Sequence, residues 1–232
     1  MKFKWIAVLG VLFLAVPLSA EENIVLKDQK DKVSYSIGVD IGNNLKNLKV
    51  DMNLDFLARG IRDVLSETKL LMTEQEVQST MMAFQKELMA RREQQMKVLG
   101  EKNKKEGESF LAENKKREGV TTLLSGLQYK VFKAGTGKTP TDTNTVTVHY
   151  RGTLIDGTEF DSSYRRGQPA IFPVKEVIPG WIEALKLMQE GAKWQLFIPP
   201  NLAYGERGAG SVIGPNATLI FEVELISIQE KK

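Results

Sequence analysis

The sequence contains no cysteine, which excludes disulfides, thiolate nucleophiles and cysteine-ligated metals. It has one histidine, His149, so no histidine cluster exists to hold a metal or build a triad. Charge of one sign is not concentrated anywhere: 32 basic residues stand against 29 acidic ones, for a net +3. Phosphate binding needs clustered positive charge, so nucleic acid is not an expected partner. Gly135-Thr136-Gly137-Lys138-Thr139 has the look of a phosphate loop but fails as one. Its first required glycine would fall at Phe132, and Pro140 stands where a helix should begin. A solvated hairpin loop is the better account. Asn216-Ala217-Thr218 fits a glycosylation sequon, which matters only in a eukaryotic secretory setting.

One long apolar run is present. Lys2 and Lys4 precede an apolar stretch from Trp5 to Val16, and Pro17 breaks it before Leu18-Ser19-Ala20. This reads as a secretory signal cut after Ala20. A retained anchor is the alternative, but the run falls short of the ~20 residues a membrane span needs. With no cysteine following, lipid attachment there is excluded. Export without disulfides suits the periplasm or outer cell surface of a Gram-negative-type bacterium, with no membrane span left after cleavage.

Val33, Ile37, Ile41, Leu45 and Leu48 recur at helical spacing, as do Phe56, Leu57, Ile61, Val64 and Leu65. Residues 21–72 therefore predict two or three short amphipathic helices, too small to bury a good core alone. An oligomer interface is the natural remedy, and a homodimer is expected. Thr73-Glu74-Gln75-Glu76 is a capping box. From there good helix formers continue without proline to about Glu118. Pairs such as Glu87 with Arg91 and Glu113 with Arg117 add a few tenths of a kcal/mol each. The apolar stripe through Val77, Met81, Phe84 and Leu88 fades after Leu99. Residues 100–109 show no apolar face, and Gly100 and Gly107 each cost ~1 kcal/mol in a helix. The expectation for residues 73–119 is a long connecting helix that bends or frays there, against a disordered charged linker.

From residue 120 the pattern changes to period two. Val146, Val148 and Tyr150 alternate with polar neighbours. Trp194, Leu196 and Ile198 alternate with Lys193, Gln195 and Phe197. Leu219, Phe221, Val223 and Leu225 alternate in the same way. Between them Pro179-Gly180-Trp181 opens a short helix, with Trp181, Leu185 and Met188 on one face before Gly191. One short helix among antiparallel strands argues an α+β domain. His149 falls on the polar side of its strand, so a catalytic role is not expected for it.

The aromatics Tyr150, Phe160, Phe172, Trp181, Tyr204 and Phe221 would ordinarily read as core. Their surroundings say more. Val148-His149-Tyr150-Arg151-Gly152-Thr153-Leu154, Asp156-Gly157-Thr158-Glu159-Phe160-Asp161-Ser162-Ser163 and Val177-Ile178-Pro179-Gly180-Trp181 come first. Leu202-Ala203-Tyr204-Gly205 and Ile213-Gly214-Pro215-Asn216-Ala217-Thr218-Leu219-Ile220-Phe221 follow. In that order and spacing these motifs closely resemble the FKBP family of peptidyl-prolyl cis/trans isomerases, over roughly the last hundred residues. The helical half, including Tyr35-Ser36-Ile37-Gly38, resembles the exported bacterial Mip and FkpA branch.

The resemblance implies an antiparallel half-barrel sheet wrapped on one short helix, with a ligand pocket between them. A long helix would join this domain to a small all-α dimerisation domain. It also implies roles for individual residues. Trp181 would floor the pocket, with Tyr150, Phe160, Phe172, Val177, Ile213 and Phe221 as further substrate-binding walls. Asp161, the Tyr204 hydroxyl and the Ile178 amide would be the catalytic polar groups. Ala170 stands where many members carry an aromatic residue, and Ala209 where the drug-binding immunophilins often have a histidine, which predicts a more open rim. No cofactor or metal is expected. The partners implied are X-Pro-containing and unfolded polypeptides, with macrolide immunosuppressants as candidate inhibitors. An enzyme acting on exported, folding proteins is the leading reading. A chaperone with a secondary isomerase site is the alternative, and an inactive binding scaffold is the weakest.

Overall fold

The computed structural model describes residues 25–229, and the signal segment lies outside them. The chain divides into two compact units that meet between Thr73 and Glu74.

The first unit contains α1 (Gln29–Leu48) and α2 (Leu54–Leu65). Asp28 caps α1 by accepting from the Asp31 amide, and Asn53 caps α2 by accepting from the Asp55 and Phe56 amides. The helical periodicity is thus realised, but it has nothing to face. No residue of α1 is buried, and in α2 only Asp63 is, held by Arg59 at 2.7 Å. Ile37, Phe56, Ile61 and Val64 are all exposed. Among the described residues, a single copy of this unit has no apolar core.

The second unit begins with α3 (Glu74–Asn114), 41 residues long and so about 60 Å from end to end. It starts directly after Thr73, where the capping box predicted. Glu87 pairs with Arg91, whereas Glu113 turns to Lys116 at 2.7 Å. The helix is continuous through Gly100 and Gly107 and does not give way to a linker there. Those two glycines and Asn114 are its buried residues, and they are spaced seven apart. The face that lacks hydropathy is a close-packing face instead. A methyl added to Gly100 would sit 3.1 Å from Pro215 Cβ, and one on Gly107 would overlap the Thr218 hydroxyl. Phe110 packs on Phe197 at 5.9 Å between ring centres. Asn114 donates to Gln128 Oε1 at 2.9 Å, and Gln128 donates in turn to the Leu111 carbonyl.

The sheet comprises β1 (Val120–Thr122), β2 (Gln128–Lys133), β3 (Thr145–Leu154), β4 (Glu159–Ser162), β5 (Ala170–Pro173), β6 (Lys193–Ile198) and β7 (Leu219–Gln229). Its order is β1-β2-β6-β7-β3-β4, with β5 also on β3, and every pairing is antiparallel. β4 and β5 share one edge of β3, β5 taking residues 145–148 and β4 residues 151–153.

The inward face follows the alternation. Val146, Val148 and Tyr150 of β3, Leu196 and Ile198 of β6, and Leu219, Val223 and Leu225 of β7 form the core with α4 (Pro179–Leu185). Phe197 departs from the pattern: it points away from that core yet is 4% exposed, because Phe110 of α3 covers it. The short helix ends at Leu185 rather than running on to Gly191. Met188 stays buried through a tightened turn in which its amide reaches the carbonyls of Ala184 and Leu185.

The false phosphate loop also has an explanation. The Thr136 and Gly137 amides donate to the Glu190 carbonyl at 3.1 and 3.3 Å. They serve the fold and are not a cradle for an anion. In the sequon, Asn216 donates to the Gly100 carbonyl and Thr218 is buried, so it belongs to the packing of α3. No helix among the described residues is long and apolar enough to cross a membrane.

Candidate active site

A cavity of about 610 Å³ opens between the sheet and α4, and all ten site residues expected from the sequence line it. They arrive from seven parts of the fold. β3 supplies Tyr150, β4 supplies Phe160 and Asp161, β5 supplies Phe172 and β7 supplies Phe221. Val177 and Ile178 come from the segment entering α4, and Trp181 from its first turn. Tyr204 and Ile213 come from the long connection between β6 and β7.

Trp181 is fixed by its neighbours. The rings of Tyr150, Phe172 and Phe221 stand nearly perpendicular to it, at 88°, 86° and 84°, with centres 5.4, 6.0 and 5.2 Å away. Edge-to-face contacts of this kind add about 0.5–1.5 kcal/mol each beyond area burial and leave little rotational freedom. Phe160 meets Phe221 edge-on at 5.4 Å. This is possible because Gly152, behind them on β3, has no side chain: a Cβ there would lie 2.6 Å from the Phe160 ring and 2.7 Å from that of Phe221. The indole N–H of Trp181 is buried and has no hydrogen-bond partner among the described residues.

The polar groups sit at one side. Tyr150 donates to one oxygen of Asp161, and Arg166 donates to the other. Arg166 also donates to the Tyr150 hydroxyl at 2.7 Å and lies over its ring, 5.4 Å from the centre. Burial alone would raise the Asp161 pKa. The hydrogen bonds from Tyr150 and Arg166, with the guanidinium charge, outweigh it and hold the carboxyl below its ordinary value. Burial, then the bond to Asp161, raises the Tyr150 phenol. Burial, then the Asp161 charge, raises that of Tyr204. At neutral pH Asp161 is therefore a carboxylate and both phenols are neutral, and the Glu176 side chain also lines the cavity. Both carboxylate oxygens of Asp161 are thereby engaged.

Ile178 is the N-cap of α4, in extended conformation at φ −61° and ψ 149°. Its carbonyl accepts from the Trp181 and Ile182 amides. Its own amide donates to no acceptor among the described residues, because Pro179 starts the helix and leaves this N–H outside it.

Sequence reasoning missed Arg166. Its partners lie across a turn and on a neighbouring strand, and the only signal was a pair of arginines soon after Asp161. It also placed Ala170 at the rim. Ala170 lies opposite Val148, packs on the core and does not line the cavity, whereas Phe172 of the same strand does. Ala209 does line it, with Gly210, Ser211 and Val212. His149 stands outside, stacked on Tyr164 at 4.6 Å with Nδ1 3.0 Å from the Ser163 hydroxyl.

Comparison with known proteins shows the family. Residues 136–226 match the family described as FKBP-type peptidyl-prolyl cis-trans isomerase, and residues 30–131 match the domain amino terminal to it. The chain is 48% identical over 230 residues to the outer membrane protein MIP of Legionella longbeachae, covering 99% of this chain and 98% of that protein. It is 46% identical over 198 residues to the FKBP-type 22 kDa peptidyl-prolyl cis-trans isomerase of Escherichia coli K12, covering 85% and 94%. Among solved structures, FkpA from Escherichia coli aligns with a TM-score of 0.69 at 37% identity, over 89% of this chain and 99% of that one. The chain belongs to the FKBP-type peptidyl-prolyl cis/trans isomerase family, and within it to the two-part form that carries an amino-terminal helical domain.

Proposed function

We propose that this chain accelerates rotation about X-Pro bonds of exported polypeptides by holding the twisted prolyl amide in the aromatic cavity. The observation that carries this reading is the meeting of a rigid apolar floor, Trp181, with two donors that have no acceptor among the described residues, the Ile178 amide and the Tyr204 hydroxyl.

Peptide-bond rotation faces a barrier of ~18–20 kcal/mol because the twist gives up resonance, and for proline it takes tens to hundreds of seconds. No bond has to break, so no nucleophile is needed. The prolyl ring stacks on Trp181 between Tyr150, Phe160 and Phe221, with Phe172, Val177 and Ile213 completing the apolar wall. The Ile178 amide and the Tyr204 hydroxyl hold the flanking carbonyls. They fit the twisted amide better than the planar one, and only that difference lowers the barrier. The fixed charge on Asp161 faces the same space and favours the charge distribution of the twisted state. A macrolide that mimics a prolyl amide would compete for this cavity, with Ala209 leaving its rim open.

The unpartnered apolar faces of α1 and α2 support a second element, a homodimer formed through the amino-terminal unit. A cradle of such helices, with Met52 and Met72 exposed in the same unit, would suit unfolded clients. Export to the periplasm or cell surface fits the amino-terminal signal pattern and the relatives named above. The test uses the chain from residue 21 and a fragment beginning at Glu74, which keeps α3 on the sheet. Equal isomerisation of a short X-Pro peptide, with slower refolding of a proline-limited protein by the fragment, assigns client binding to α1 and α2. No isomerisation by either would overturn the catalytic reading.

A further inference from the structure

The connection from Tyr204 to Asn216 supplies Tyr204, Ala209, Val212 and Ile213 to the cavity, and it is tied to α3. Its base is closed by the Asn216 amide donating to the Gly205 carbonyl at 2.8 Å. Its tip is closed by Ala209 and Ile213, which exchange both backbone bonds, at 2.8 and 3.2 Å. The limb between them, Gly214-Pro215-Asn216, rests on one turn of α3. Asn103 Nδ2 donates to the Pro215 carbonyl at 2.8 Å, and Asn216 Nδ2 reaches the Gly100 carbonyl at 3.4 Å. Gly214 lies so near that a Cβ on it would be 3.0 Å from Leu99 and from Asn103. Pro215 has a fixed φ, so a contact that fixes its carbonyl also sets the direction in which the chain leaves toward Ile213.

We propose that Asn103 is a positioning residue for the prolyl site. Its side-chain amide fixes the Pro215 carbonyl and thereby sets where Ile213 and Tyr204 stand in the cavity, which makes the last four turns of α3 a working part of the isomerase. The proposal rests on the reading of the cavity as the X-Pro site. It is specific to one end of the contact between α3 and the sheet. At the other end Asn114 and Gln128 hold the same helix without touching the loop.

The test measures kcat and KM on an X-Pro tetrapeptide for the full chain from residue 21. N103A removes the amide. N103D keeps the shape but loses the donor, and serves if the alanine variant folds poorly. N114A is the control for general loosening of the helix. Both Asn103 variants are expected to raise KM about fivefold, since a small misplacement of binding groups weakens their contacts. N114A is expected to lower Tm and leave KM unchanged. A partly unfolded sample would lower apparent kcat at constant KM, so the KM change separates positioning from mere stability. Unchanged KM in folded N103D, or an equal rise in N114A, would overturn the proposal. An inactive parent chain would instead overturn the catalytic reading on which it rests.

Discussion

Gly107 faces Thr218 so closely that a methyl group on the glycine would overlap the threonine hydroxyl. Thr218 is 3% exposed, and its hydroxyl has no hydrogen-bond partner among the described residues. Helix propensity and packing therefore pull in opposite directions at this position. Alanine is favoured over glycine by ~1 kcal/mol in a helix interior, whereas overpacking a tight contact costs about 1–3 kcal/mol. G107A is expected to lower stability in denaturant unfolding. The loss should shrink when T218A is already present, because the obstructing oxygen is gone. A gain in stability from G107A alone would mean that the helix does not pack on the sheet in this way.

The Ile178 amide offers a direct test of the donor role. Ile178 has φ −61° and follows Val177 in extended conformation, so proline fits at 178 without strain. Ile178→Pro removes the N–H, whereas Ile178→Ala removes the side chain and keeps it. The proline variant should lose at least about tenfold more kcat/KM than the alanine variant, as for the loss of a donor aimed at the transition state. Equal losses would reduce Ile178 to an apolar wall.

Removing Arg166 should change the pH profile in a definite direction. The Asp161 pKa is depressed, so its charge is present above the ordinary carboxylate range and is lost only as pH falls through the lowered value. Tyr150 is raised, so it stays neutral until pH climbs past the ordinary phenol value. The parent kcat/KM should be flat from roughly pH 5 to 9 with respect to these groups. In R166L, Asp161 loses both the hydrogen bond and the positive charge, and its acid limb should move to higher pH. An unmoved limb would separate Asp161 from the activity.

The amino-terminal unit should not stand alone. Sedimentation of the chain from residue 21 is expected to give a dimer. Phe56→Ser with Ile61→Glu, on the exposed apolar face of α2, should give monomers with unchanged tetrapeptide turnover. A monomeric parent at micromolar concentration would contradict the assembly.

The strands were legible because period two survives wherever one face of a sheet meets a core, as in Val146, Val148 and Tyr150. Phe197 broke the rule for a reason no local pattern carries: a helix more than eighty residues earlier covers the other face. The packing surface of α3 was invisible for a related reason. Glycine and asparagine have no hydropathic signature, and their use here is the closeness they permit to Pro215 and Thr218. The cavity residues were legible through motif order, which a resemblance supplies and periodicity does not. Arg166 and Asn103 were missed because each bonds to a partner remote in sequence, Tyr150 and Pro215, and a lone polar residue on a turn or helix carries no sign of such a bond.

The central claim is that the cavity twists a prolyl amide by shape, donors and one fixed charge, without covalent chemistry. It is tested most directly by the cis/trans exchange rate of an X-Pro tetrapeptide with the parent chain, D161L and Y204F, each shown to be folded by circular dichroism. The parent is expected to be fast, with kcat/KM lower by about tenfold or more in each variant. Exchange rates in both variants equal to the parent would contradict it.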